Sequence, residues 1–216
     1  MSVSDFFNEE YRSMPRYWWR DKVRYAPEAD AYPSSLLTQM TLRLIEGQPP
    51  GRVLDIGAGE GADSIRLALL GYDVDAVEIS AVAAEKTLAF AEQAGVTVNV
   101  NVADIVSYEP NGPFDIVICN GVLQYIEDKE AVIELMQTTT RTGGINVISL
   151  WSTYTDVPEC HKRVPVFCDD EDGLVVNSYK GWIQQLLYFE RDKREDSHSG
   201  MPPHSHSHIK LIVRKP

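Results

Sequence analysis

Val53-Leu54-Asp55-Ile56-Gly57-Ala58-Gly59-Glu60-Gly61 decides the fold of this chain. An apolar run ends in a glycine turn, and a segment with helical periodicity follows at once. Outward from this loop, short β-branched runs alternate with helical patterns. Strand–helix–strand units of a parallel sheet produce that alternation. Arg52–Gly57 reads as a buried strand and Gly61–Leu70 as a helix stopped by Gly71. Asp73–Glu78 is a second strand, and Ser80 caps a helix over Ala81–Ala94 that ends at Gly95. Val96–Val102 and Phe114–Cys119 are the third and fourth strands. A helix over Asp128–Thr139 leads through Gly143-Gly144 into a fifth strand, Ile145–Trp151. Upstream, Ser34–Glu46 is an amphipathic helix joined to the first strand by Gln48-Pro49-Pro50-Gly51. Downstream, an irregular stretch to Gly173 and a short helix precede strands at Trp182–Arg191 and His206–Lys215. A polar loop, 192–205, separates these two, so they form an antiparallel pair more easily than another crossover. The fold class is therefore α/β, doubly wound around a mostly parallel sheet.

The loop also carries chemistry. Its spacing, G-x-G-x-G, is one residue shorter than the dinucleotide fingerprint G-x-G-x-x-G, in which a pyrophosphate sits on the helix N-terminus. Asp55 stands two residues before the first glycine, where a carboxylate repels a pyrophosphate and suits a cation. S-adenosyl-L-methionine has no phosphate and carries an ammonium and a sulfonium, so D-x-G-x-G-x-G fits it better than NAD. Glu78 closes the second strand at the offset where an acid meets a ribose diol in doubly wound folds. Asp104 follows the third strand. It is placed to accept from an adenine amino group while the Ile105 backbone donates. Any one strand-end acid is ordinarily a solvated residue. Three of them in order after such a loop indicate one ligand across the carboxyl ends of the strands.

Composition narrows the partners. The 216 residues carry a net charge of −12, with 44% hydrophobic residues. Residues 51–140 hold four basic and fifteen acidic side chains. So acidic a middle has no footprint for duplex nucleic acid or an anionic membrane. No apolar run reaches the length of a spanning helix, and the acidic, aromatic N-terminus is not a secretory signal. Three cysteines do not make a disulfide scaffold. The expected setting is cytoplasmic and the expected partner a small molecule; oligomeric state is not legible. Residues 1–33 hold Tyr11, Tyr17, Trp18, Trp19, Tyr25 and Tyr32, an aromatic segment suited to capping a sheet edge or a site.

Asp55–Gly61, Glu78, Asp104, Phe114–Ile126 and Thr142-Gly143-Gly144 together resemble the successive motifs of class I S-adenosylmethionine-dependent methyltransferases. The resemblance implies a Rossmann-like, seven-stranded sheet with helices on both faces and an antiparallel last strand. It implies one methyltransferase domain over 34–216, with a cofactor-binding core (34–151) and a substrate-side segment (152–216) behind the 1–33 cap. The expected cofactor residues are Asp55, Gly57, Ala58, Gly59, Gly61, Glu78, Ile79, Asp104, Ile105, Asn120 and Tyr25. Gly143–Ile148, Asp156–Cys160, Val164–Phe167, Tyr179–Trp182, Ile209–Leu211 and Gly71–Ala76 are similar to the TehB-like, tellurite-resistance branch. That branch implies a tellurite, selenite or thiol acceptor, with His and Arg of the C-terminal loop near it. Here those residues are His198 and Arg194, the expected catalytic pair. Two other readings are an O- or N-methyltransferase of a small metabolite and a non-catalytic module that only binds the cofactor.

His204, His206 and His208 alternate, so a strand turns all three to one face, where imidazoles can hold zinc. The plainer reading is a polar loop entering an edge strand, and no metal is assigned. Cys160-His161 and Cys168 resemble a soft metalloid site only weakly and read as ordinary lobe residues; Cys119 reads as core.

Overall fold

The computed structural model describes residues 1–16, 32, 34–195 and 202–216. A seven-stranded sheet forms the middle layer. Its strands are β1 (Arg52–Ile56), β2 (Asp73–Glu78), β3 (Asn99–Val102), β4 (Phe114–Asn120), β5 (Thr140–Trp151), β6 (Ile183–Glu195) and β7 (His204–Arg214). They lie in the order β3-β2-β1-β4-β5-β7-β6. The first five run parallel, and β7 is inserted antiparallel between β5 and β6. Helices α1 (Val3–Arg12), α2 (Leu36–Leu44), α3 (Ala62–Leu69), α4 (Ala81–Ala94), α5 (Lys129–Thr139) and α6 (Leu174–Ser178) connect and cover it. Each face of the sheet has its own apolar core. One gathers Leu54, Ile56, Val117, Ile133, Met136 and Leu211. The other gathers Val53, Ile65, Ile116, Ile118, Val147 and Ile212. Alternate residues of one strand thus feed opposite cores, as strands buried on both faces do.

Several boundaries differ from the sequence reading, each for a physical reason. β3 begins at Asn99 rather than Val96. Gly95 adopts a left-handed conformation, and the Val96 amide donates back to the Ala91 carbonyl, so Val96 closes α4 instead of pairing with β2. β6 and β7 extend into the expected polar loop from either side, to Glu195 and from His204. Lys193 pairs with His206, Arg194 with Ser205 and Glu195 with His204. The alternation His-Ser-His-Ser-His is a strand period carried by polar residues. β5 starts at Thr140, ahead of the two glycines.

The N-terminal segment contains a helix the sequence reading did not identify. Ser2 caps α1 by accepting from the Asp5 amide at 3.1 Å. Asn8 Oδ1 accepts from Ser80 Oγ at 2.8 Å and from the Val82 amide, and Ser4 Oγ donates to the Ile79 carbonyl. These bonds lay α1 across the carboxyl end of β2, beside Glu78. Among the described residues, no helix is long and apolar enough to cross a membrane.

Candidate functional site

The turn between β1 and α3 consumes its own amides. Gly57 and Ala58 donate to the Val77 carbonyl at 2.7 and 3.3 Å, and Gly61 donates to the Ala58 carbonyl at 3.0 Å. The Gly59 amide donates to Glu78 Oε2 at 2.8 Å. Gly57 has φ +68°, and a Cβ there would lie 2.2 Å from Val122 Cγ2, so only glycine fits under the loop that leaves β4. Helix N-termini cradle a phosphate with unspent amides. Here these four amides are taken, the Gly59 one by the Glu78 carboxylate. The donor set opposes a pyrophosphate and fits a cofactor that carries ribose hydroxyls and cationic groups.

Glu78 is the centre of this rim. It is 5% exposed, and its two oxygens accept from the Gly59 and Ser80 amides, each at 2.8 Å. A carboxylate oxygen has capacity beyond one such bond, so both oxygens can still accept from hydroxyls. Burial raises its pKa, and the amides of Ser80 and Gly59 oppose that rise. Asp55 lies beneath the loop at 3% exposure, accepting from Ser64 Oγ at 2.6 Å. Burial, then the neighbouring charges of Asp63 and Glu78, push its pKa up to about 7, against the pull of Ser64. Asp63 in turn accepts from the Ser35 amide at 2.6 Å, tying the start of α2 to the same corner.

Along the rim, Asp104 is exposed and accepts from the Val106 amide at 3.0 Å, with Ile105 buried beside it. Asn120 ends β4 and accepts from Ser149 Oγ, bridging the ends of β4 and β5. The structure thus sets Asp55, the glycines, Glu78, Ile79, Asp104, Ile105 and Asn120 at the carboxyl ends of β1 to β4 or in the turns that follow. Asp55, Glu78 and Ile105 are buried there, while Asp104 is exposed. Tyr25 and His198 lie outside the described residues, as do Tyr17, Trp18 and Trp19.

Next to this rim is an aromatic and imidazole cluster that the sequence reading did not assemble. Phe7 of α1 meets Tyr125 edge-on at 5.1 Å between centroids, and Tyr125 lies 6.0 Å from Trp151 at the end of β5. His206 stacks on Trp151 at 4.3 Å, and His161 meets it edge-on at 4.8 Å. His161 Nε2 and His204 Nε2 are 3.0 Å apart. Burial, then the neighbouring His161, lower the His206 pKa to about 3; burial and then Lys193 lower that of His208 to about 4. Both rings are therefore neutral at pH 7. The three alternating histidines do share a face, but His208 turns toward Glu190, 3.6 Å away. Its expected place in the group goes to His161, 43 residues from His204. No sequence spacing could have shown that.

Arg194 is not brought to this cluster. It sits opposite Ser205, between the two pairs that carry His204 and His206, so the pleat turns it to the other face. Its side chain is 85% exposed and lies 3.5 Å from Asp192. Cys119 is fully buried, with its thiol pKa pushed up by burial, as a core cysteine requires.

Residues 49–191 match a family described as a methyltransferase domain. The chain is 28% identical over 138 residues to a ubiquinone biosynthesis O-methyltransferase of Paraburkholderia phymatum, covering 63% of this chain and 58% of that protein. It is 31% identical over 139 residues to a probable S-adenosyl-L-methionine-dependent methyltransferase TehB of Haemophilus influenzae, covering 62% of this chain and 46% of that one. The chain thus spans about half the length of these curated relatives. Among solved structures, TehB from Haemophilus influenzae superposes with a TM-score of 0.72 at 22% identity, over 93% of this chain and 66% of that one.

Proposed function

The chain belongs to the methyltransferase-domain family, and from that premise we propose that it methylates a small thiol or oxyanion. The cofactor, S-adenosylmethionine, supplies an electrophilic methyl group on a sulfonium. The observation that carries the reading is the carboxyl-end rim of β1 and β2. There Glu78 is held by two backbone amides, and Gly57, Ala58, Gly59 and Gly61 of the turn have spent theirs. In that frame, Glu78 Oε1 and Oε2 bind the ribose hydroxyls. Ile105 flanks the adenine, with Asp104 accepting from its amino group. Asn120 closes the rim toward β5.

The acceptor is assigned to the side of Tyr125 and Trp151. An in-line displacement needs little from the protein beyond orientation and exclusion of water. A thiolate or oxyanion presents its own lone pair and needs no general base. The acidic balance of the chain supports a small acceptor over a nucleic acid. The likeness to TehB accords with the TehB-like resemblance of the sequence, which implies a tellurite, selenite or thiol acceptor. The test is release of S-adenosylhomocysteine against a panel of tellurite, selenite, thiols, phenols and amines. Thiols or oxyanions should turn over best. Amines as the best substrates would remove the acceptor assignment, and cofactor binding with no turnover of any class would remove the catalytic one.

A further inference from the structure

We infer that His161, His204 and His206 form a binding site for a divalent transition metal of the zinc class. One ring nitrogen from each residue lies within 4.8 Å of the others, in a corner walled by Trp151. Zinc binds imidazole at roughly 2.0–2.1 Å, so two ligands of a tetrahedral site stand about 3.3–3.4 Å apart. The spacing here, 3.0 Å between His161 and His204 and no more than 4.8 Å across the set, reaches that geometry with side-chain shifts of about an ångström.

The orientation of His204 strengthens the assignment. Its Nδ1 lies 2.7 Å from the Pro202 carbonyl, which can only accept, so the ring proton is on Nδ1. The Nε2 lone pair of His204 is thereby aimed into the cluster. Metal-binding histidines are held in this way, with the distal ring N–H on a backbone carbonyl or carboxylate. His206 is kept flat by its stack on Trp151, whose edge also fixes His161. A carboxylate is close by: Glu195 Oε2 lies 3.8 Å from His204 Nε2, at the register position opposite it. Three imidazoles with one carboxylate, or with one position left for solvent or acceptor, suit zinc, cobalt or nickel rather than magnesium or calcium. The metal would pin the segment after β5 to the start of β7, beside the rim where the acceptor is assigned.

The readout is metal binding itself, so it stands or falls separately from methyl transfer. Full-length protein is stripped with EDTA, freed of chelator, and titrated with Zn²⁺ by calorimetry and with Co²⁺ by visible absorption. One equivalent should bind with micromolar or tighter Kd, and Co²⁺ should show the strong d–d bands of a low-coordinate nitrogen site. His204→Ala and His206→Ala should each weaken Co²⁺ binding by at least roughly tenfold, the scale on which even supporting residues act. His208→Ala, which faces Glu190, should keep both affinity and bands. Sub-stoichiometric or millimolar binding to the wild type would overturn the site, whatever the variants do. So would full binding by a His206→Ala protein with native circular dichroism.

Discussion

The two rims of this sheet are built differently. Over β1 and β2, the groups assigned to the cofactor come from two short stretches, 55–61 and 78–80, tied together by backbone amides and carbonyls. Over β5 and β7, they are side chains only: Tyr125, Trp151, His161, His204 and His206, from four separate parts of the chain. A rim made of backbone tolerates little sequence change, because glycine conformations and strand register set it. A rim made of side chains keeps the same scaffold while its chemistry changes with each substitution. One sheet can thus hold a constant cofactor and serve different acceptors, which is how function is grafted onto a shared fold.

The largest effect should come from the first rim. Glu78→Ala removes the acceptor for two buried amides, each of which costs about 1–3 kcal/mol when left unpaired. S-adenosylhomocysteine affinity should fall by more than about tenfold, the worth of a charge-assisted bond, and the melting temperature should drop with it. Calorimetry and a thermal melt measure both. An unchanged affinity in a folded protein would make Glu78 a purely structural residue and erase the contrast between the rims.

This contrast also explains what the sequence made legible. The glycine spacing, the strand-end acids and the antiparallel terminal pair are local patterns, and the structure sets each at the carboxyl ends of the strands or at the sheet edge where the pattern required it. α1 escaped notice because its aromatic residues read as a cap, while its helix signal rested on Ser2 and Asp5 near the chain start. The histidine corner was only half legible. The period of two in His204-Ser205-His206 places two rings together, yet His161 arrives through tertiary packing on Trp151, and the fold alone decides that His208 leaves the group. Asp55 read as a ligand for a cation, but α3 closes over it and Ser64 takes its carboxylate.

A mid-sized effect follows from Asp55. Its pKa is raised to about 7 in the folded protein, so the folded state keeps a proton that the unfolded chain gives up near pH 4. The stabilisation from that proton is complete below about pH 4 and is lost as pH rises through about 7. The cofactor-free protein should therefore melt at lower temperature at pH 8 than at pH 5.5. Asp55→Asn keeps an acceptor for Ser64 and carries no charge, so it should remove much of this slope. The stability of the variant relative to wild type should rise by roughly 2–4 kcal/mol from pH 4 to pH 8, because each tenfold difference in proton affinity between the folded and unfolded states is worth about 1.4 kcal/mol. Glu78, also raised by burial, leaves a residual slope of the same sign. Parallel melting curves for wild type and Asp55→Asn from pH 5 to 8 would show that the acid beneath the loop is ionised throughout. The acid beneath the first rim would then carry a full charge rather than a proton.

The smallest effect should come from Arg194, the residue for which sequence and structure differ most in what they ask of it. The TehB-like resemblance sets an arginine of this region beside the acceptor. In the fold, Arg194 lies opposite Ser205, on the face of the β6–β7 ribbon away from His204 and His206, with its head near Asp192 at 85% side-chain exposure. An exposed ion pair of that kind contributes about 0–1 kcal/mol. Arg194→Ala should leave stability within about 0.5 kcal/mol, as surface substitutions do. It should also leave kcat/KM for the best thiol or oxyanion within about twofold, since a group that does not touch the acceptor adds little to its transition state. The sensitive measurement is kcat/KM at low ionic strength, where a remote positive charge steers an anion most strongly. A tenfold loss there that persists at high salt, with cofactor affinity intact, would require direct contact. The acceptor would then lie on the outer face of the ribbon, and the side-chain rim at Trp151 would lose its assigned substrate.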